Sequence, residues 1–147
     1  MDKKTEVWLR MYEEQIRHAR HHETLRTHST NVIVIISAAI LALISSDNSS
    51  TAQHTMLCVF LIVANGYGLF ISLKHWERSC LHHSVSGRYR TIVSEHTALG
   101  EANLNTERKV GRTQHLRNFP LLGMLPAHVL WSGLHAVIVL MAIALLL

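Results

Sequence analysis

The chain has 147 residues, 48% of them hydrophobic, and a formal net charge of +4, a length that fits one domain. Its apolar residues gather in long runs free of Asp, Glu, Lys and Arg, which excludes the dispersed pattern of a soluble core. The basic residues flank those runs, and no helix-turn-helix, aromatic–basic platform or RNA-binding pattern accompanies them, so no nucleic-acid partner is expected.

In chain order, residues 1–28 are predicted to form a cytoplasmic amphipathic helix, with Leu9, Tyr12, Ile16 and Ala19 at spacings of three and four and Trp8 and Met11 widening that face. Ser29-Thr30-Asn31 interrupts its polarity, and periodicity leaves open whether the helix runs on. A first membrane span follows at 29–46, with Ala38, Ala42 and Ser46 recurring every four residues. A cleaved signal peptide is not expected, because the segment before this span is long and carries both charge signs. Residues 47–55 form a polar, turn-prone external loop, too short for a folded domain. Spans one and two are therefore expected to make a tight antiparallel hairpin.

The second span, 56–73, contains the tripeptide Gly66-Tyr67-Gly68, which is familiar from potassium-channel filters. A filter is a re-entrant loop whose carbonyls replace the water around an ion, and it needs a complete span after it. Here the tripeptide lies inside the only stretch available for span two, and Ala64-Asn65 precedes it rather than Thr-Val. It is read as helix. Ala64, Gly68 and Ser72 make a small-residue face that permits close helix approach, and Asn65 adds a hydrogen-bonding group. This face and the Ala38–Ala42 face are candidates for packing within the hairpin or between subunits.

Residues 74–117 are predicted as a cytoplasmic helical segment with a stripe of Leu81, Val85, Tyr89, Ile92, His96 and Leu99. Gly87 weakens such a helix by roughly 1 kcal/mol against alanine. The polar run 100–111 reads as a connector or break. An interfacial approach at 118–127 contains Pro120 and Pro126, and a third span occupies 128–147. Pro126 suits the first turn of that helix.

Charge sets the expected topology. Six basic residues precede span one, eight lie between spans two and three, and the 47–55 loop has none. Basic residues stay on the cytoplasmic side, so the N-terminus and the middle segment are expected in the cytoplasm. The C-terminus then lies outside or in the outer-facing interface. The predicted fold is an all-α membrane protein of three transmembrane helices, with two amphipathic cytoplasmic helices extending from the first hairpin. Cys58 and Cys80 stand 22 helical positions apart, on the order of 33 Å, which excludes a disulfide between them.

The chain has 12 histidines. His18, His21 and His28 recur at helical spacing, and His75, His82, Tyr89 and His96 recur every seven residues. Counted away from the membrane, His28 and His75 fall at one depth and His21 and His82 at the next, with His22 and His83 beside them. Three readings stay open: solvated helix residues, a pH-sensitive interface, or a metal site in which His18 and His22 share a helix face, the other ligands being unspecified and His82 a residue to vary with them. A closed zinc site needs four ligands, and Arg20 between the first two opposes a cation. Within span three, His128, Ser132 and His135 line one face and make a candidate intramembrane polar path. No nucleophile elbow, phosphate loop or paired acidic motif is present, so no enzyme activity is expected, and no cofactor beyond such a metal.

The layout resembles the small bacterial membrane proteins of the SLATT type, and is similar also to RipA-like small membrane proteins. The likeness covers roughly residues 5–100 and rests on Arg26-Thr27-His28-Ser29-Thr30-Asn31 entering span one and Ser72-Leu73-Lys74-His75-Trp76-Glu77-Arg78 leaving span two. It implies a two-span hairpin with cytoplasmic helices, to which this chain adds a third span. It also implies a self-associating effector of a bacterial defence system that perturbs the inner membrane when triggered. The expected function is therefore a homo-oligomeric, pore-forming or membrane-perturbing protein whose partners are itself, the bilayer and a cytoplasmic trigger or sensor. A non-conducting scaffold or accessory subunit is the alternative, and a histidine-dependent ion or metal handler the second.

Overall fold

A computed structural model describes residues 2–45, 50–97, 101–118 and 126–147, apart from the side chains of 101–105 and 107. The described residues form four helices and no strand: α1 (Lys3–Ile44), α2 (Thr51–His96), α3 (Glu101–Asn118) and α4 (Ala127–Leu146). Three of them, α1, α2 and α4, are long and apolar enough to cross a membrane. The outer-loop residues 46–49, Leu99 and the approach at 119–125 lie outside the described residues.

The α1 helix is continuous for 42 residues, so Ser29-Thr30-Asn31 does not break it. Hydroxyls along it are absorbed locally: Thr27 Oγ1 donates to Glu23 O at 3.0 Å and Ser37 Oγ to Ile33 O at 2.8 Å, so neither needs a turn to find an acceptor. At 46 residues, α2 is capped by Ser50, whose Oγ accepts the Gln53 amide at 3.3 Å. At 1.5 Å per residue these helices run about 63 and 69 Å, roughly twice a hydrocarbon core of about 30 Å. Gly66-Tyr67-Gly68 is helical within α2. Of the polar run at 100–111, Gly100 lies outside the described residues, and from Glu101 the chain is helical through Asn118. That segment is rich in Glu, Lys, Arg and Gln, good helix formers that override the single Gly111.

Buried positions in α2 follow a heptad: Cys58, Asn65, Ser72, Ser79 and Ser86 recur every seven residues, with buried Leu61 and Gly68 between the first of them. In α1, Thr30, Ser37 and Ile44 repeat at seven, as do Ala19 and Arg26. A 3.5-residue repeat keeps one seam facing a partner helix in a left-handed supercoil. The seam is unusual in composition, with small and polar residues where leucines are customary, which lets two backbones approach closely.

The chain divides into two compact units. One comprises Met1–His22 and Glu77–Pro126, the other Glu23–Trp76 and Ala127–Leu147. In the first, the start of α1 lies antiparallel to the end of α2. Trp8 and Tyr89 rings stand 5.8 Å apart, and Gln15 meets His82 at 2.7 Å. The apolar stripe read from sequence is only partly enclosed there: Leu81 is 48% exposed while Ser79, Ser86 and Ser94 are buried. In the second unit, parts of α1 and α2 pack with α4 around Ile40, Ile44, Cys58, Leu61, Ile138 and Ala142. Both cysteines are free thiols, Cys58 buried and Cys80 exposed.

Candidate functional site

The spanning unit is built around His135 of α4, which is fully buried. Its Nδ1 lies 3.0 Å from Asn65 Oδ1 on α2, and its Nε2 lies 3.4 Å from Thr30 Oγ1 on α1. Asn65 Nδ2 donates to Ser37 Oγ at 2.8 Å and to Leu61 O at 3.0 Å, and the Ser37 hydroxyl donates in turn to Ile33 O. With a neutral imidazole, only one set of directions satisfies all of these bonds. The Asn65 amide nitrogen is the donor, so Oδ1 accepts from His135 Nδ1–H. The imidazole Nε2 is then the acceptor for the Thr30 hydroxyl. Three helices, each long and apolar enough to cross a membrane, are thus joined by one directed chain of hydrogen bonds.

Gly68 makes this geometry attainable. A Cβ built there would stand 2.5 Å from His135 Cε1 and 2.9 Å from Ile33 Cδ1, so the imidazole occupies the space that any side chain would need. Gly66, two residues away, has nothing within 4 Å, and Tyr67 is 61% exposed. The tripeptide thus points one glycine inward and presents its tyrosine outward.

Along the seam the interior changes character. At one end the Trp76 ring stacks on His128 with centroids 4.0 Å apart. One turn further in come Arg26, Ser72 and Ser132, then Thr30, Gly68 and His135, then Asn65 with Ser37. Beyond these the seam is closed by Ile40, Ile44, Cys58, Leu61, Ile138 and Ala142. The polar stretch from Arg26 to Ser37 covers 12 residues, about 16 Å of helix from the first to the last, roughly half a hydrocarbon core of about 30 Å, and it ends on an apolar plug.

No protein-family model, curated protein or solved structure matches this chain. Function is therefore argued from the geometry.

In the other unit, His82 of α2 lies between two rings of α1. His18 stacks on it at 5.2 Å and 26°, and His22 at 5.4 Å and 14°. His18 and His22 are one turn apart on α1, so the imidazole from α2 inserts between them. His82 Nδ1 donates to Gln15 Oε1, and His18 Nε2 lies 3.6 Å from Glu14 Oε1. Burial, and then the fields of His18, Arg78 and His83, hold the His82 pKa below its usual 6.5. Near-parallel rings direct their nitrogen lone pairs along parallel planes rather than toward a shared point. Among the described residues no three His, Cys, Asp or Glu side chains are arranged to hold a metal.

The remaining sequence candidates fall as follows. His21 and His83 are exposed, with His21 tilted against His22 at 6.0 Å. The partners of His82 are therefore His18 and His22, about one turn before and one residue after the position expected from counting, because His21 is exposed. His28 is exposed and His75 half-buried, both in the spanning unit. Asn65, Gly68 and Ser72 are buried inside the chain, Ala64 is half-buried, and Ala38 and Ala42 remain exposed. Of the intramembrane path, His135 is bonded, His128 is stacked, and Ser132 Oγ has no partner among the described residues. Sequence reading missed Arg26, Thr30 and Ser37. The available signal was the seven-residue phase of Ser72 and Ser79 with Asn65, which marks the seam by small polar residues instead of large apolar ones.

Proposed function

We propose that this is a self-associating integral protein of the bacterial inner membrane, a membrane-perturbing or pore-forming effector held closed at rest. The observation that supports it is the division of the seam: a polar half-membrane stretch from Arg26 to Asn65 ends on the Leu61–Ile138 plug. Polar side chains at membrane depth are costly and mark pathways or switches, and a hydrophobic constriction closes such a pathway by dewetting. Self-association uses the exposed Ala38–Ala42 face of α1, since the corresponding face of α2 is occupied within the chain. The distribution of basic residues supports a cytoplasmic N-terminus and middle segment. There the two cytoplasmic helical stretches receive the trigger. The defence setting rests on the SLATT-type likeness of residues 26–31 and 72–78.

Reconstituted protein tests the reading through leakage of a small trapped dye or ion from liposomes. Wild type should leak slowly, and Leu61→Ser or Ile138→Ser should leak several-fold faster. A tight bilayer with both variants, from protein that is correctly inserted, removes the pore. A non-conducting scaffold is then the better account, and it has its own support: every bond around Asn65 is satisfied in the closed arrangement, as expected of interhelical glue. Single-particle subunit counting separates the self-associating form of either reading from a monomer.

A further inference from the structure

Arg26 is 4% exposed, and its Nε has no hydrogen-bond partner among the described residues. Ser72 Oγ and Ser132 Oγ are also buried without a partner. The three belong to three different helices, and the surrounding contacts place them in one layer. Ser72 is one turn from Gly68 and one turn from Trp76, while Ser132 is one turn from His135 and one turn from His128. Because His135 reaches the Gly68–Thr30 level and His128 stacks on Trp76, the two serines lie between those fixed points. Arg26 is one turn from Thr30 on the buried face of α1, which brings it to the same level.

Charge then limits what can complete this layer. Near this layer the sequence supplies Glu23 on α1 and, directly after Trp76, Glu77 on α2, and both are exposed while Arg26 is buried. Asp47 is 21 positions from Arg26 along the chain and lies outside the described residues. A buried guanidinium without a carboxylate is strongly unfavourable until an anion meets it. Its planar fork of N–H donors matches a tetrahedral oxyanion, and two serine hydroxyls add donors of the right kind. Trp76, 37% exposed above the layer, is an aromatic of the sort that marks the headgroup level of a membrane. We infer that Arg26, Ser72 and Ser132 form a binding site for a phosphate oxyanion at the headgroup level of the membrane. The source is a phospholipid phosphodiester or free phosphate. The site does not depend on whether the protein conducts.

The test titrates purified full-length protein in detergent with dihexanoyl phosphatidylglycerol and, separately, with inorganic phosphate, reading the thermal unfolding midpoint. Wild type should bind one or both probes. Binding of the lipid alone assigns the site to a headgroup, and binding of inorganic phosphate assigns it to a freely accessible oxyanion. Arg26→Gln and the double variant Ser72→Ala/Ser132→Ala should each weaken binding at least about tenfold, whereas Lys74→Gln, an exposed cation at the same end, should change it less than about twofold. The double variant carries the test if Arg26→Gln fails to fold. Three results overturn the inference: no binding of either probe, wild-type affinity in a folded variant of the layer, or equal loss in Lys74→Gln.

Discussion

Two histidines of this chain, one in each compact unit, show how surroundings decide what an imidazole does. His135 is held by a directed hydrogen-bond chain in which both ring nitrogens have a partner and a single tautomer satisfies them. His82 sits between two other imidazoles, with one nitrogen engaged by Gln15. The first ring is fixed by its partners. The second is half-buried beside His18, Arg78 and His83, whose fields oppose its protonation. The difference teaches that histidine content alone says little; the neighbours convert the same side chain into interhelical glue or into a titratable contact.

The fixed side is broken most severely at Gly68. In Gly68→Leu a side chain must enter space held by the imidazole and Ile33, at separations of 2.5–2.9 Å from Cβ alone. Overpacking of this kind costs about 1–3 kcal/mol, and displacement of His135 adds its lost bonds. SDS or thermal unfolding in detergent should therefore show the largest loss of stability in the series, about 3 kcal/mol. A wild-type unfolding curve would mean that α4 does not dock against this face.

Asn65→Leu comes next. It keeps the volume close but removes the acceptor for His135 and the donor to Ser37. Interhelical hydrogen bonds in membranes contribute about 0.6–2 kcal/mol, so a loss of about 1–2 kcal/mol is expected, smaller than at Gly68. The double variant Asn65→Leu/His135→Leu should recover part of it, because both partners are then apolar.

How far these features were legible in the sequence follows from which physical signal carries each. Spans announce themselves through length and lack of charge, and the helical nature of Gly66-Tyr67-Gly68 follows from where it falls in span two. The trio His18, His22 and His82 could be assembled from an i,i+4 pair and a heptad, although counting selected His21 for the facing layer. The seam itself was hidden. Its markers, Ser72, Ser79 and Ser86, are small and polar, whereas a search for helical periodicity follows large apolar residues such as Leu81, which is exposed. Arg26 was read as a topology signal only, since its burial depends on where α4 docks, which one sequence does not reveal. The α3 residues fall within the helical segment expected at 74–117, but their polar run reads as a connector because it carries no periodic apolar signal.

The titratable side responds to pH rather than to packing. The His82 pKa lies below its unfolded value of about 6.5, so the folded state takes up a proton less readily than the unfolded chain. Its contribution to stability is therefore complete above that value and is lost as pH falls from about 6.5 through the lowered folded pKa. Groups facing His82 from α1 are His18, His22, Gln15 and, through His18, Glu14; from its own helix they are Arg78 and His83. Amide hydrogen exchange in residues 8–22 and 79–96 should quicken on acidification in wild type and show a flatter profile in His82→Phe. The same exchange around His135 should change less over this range, and an equal response in both regions would erase the contrast between the two imidazoles.

The smallest effect is expected two residues from the largest. Gly66 has nothing within 4 Å of a built Cβ and lies on the open side of α2. Leucine there meets no neighbour of its own chain and raises helix propensity, so Gly66→Leu should leave stability unchanged or raise it by less than about 1 kcal/mol. A conducting filter would predict the opposite ranking of concerns, with both glycines and Tyr67 needed for selectivity. The helical reading separates them by direction alone: one glycine admits His135, and the other can be replaced. If Gly66→Leu proves destabilising in monomeric protein, the face of α2 opposite the seam is also packed. If it is stable as a monomer yet impaired in self-association, that open face joins the Ala38–Ala42 surface as a contact between copies.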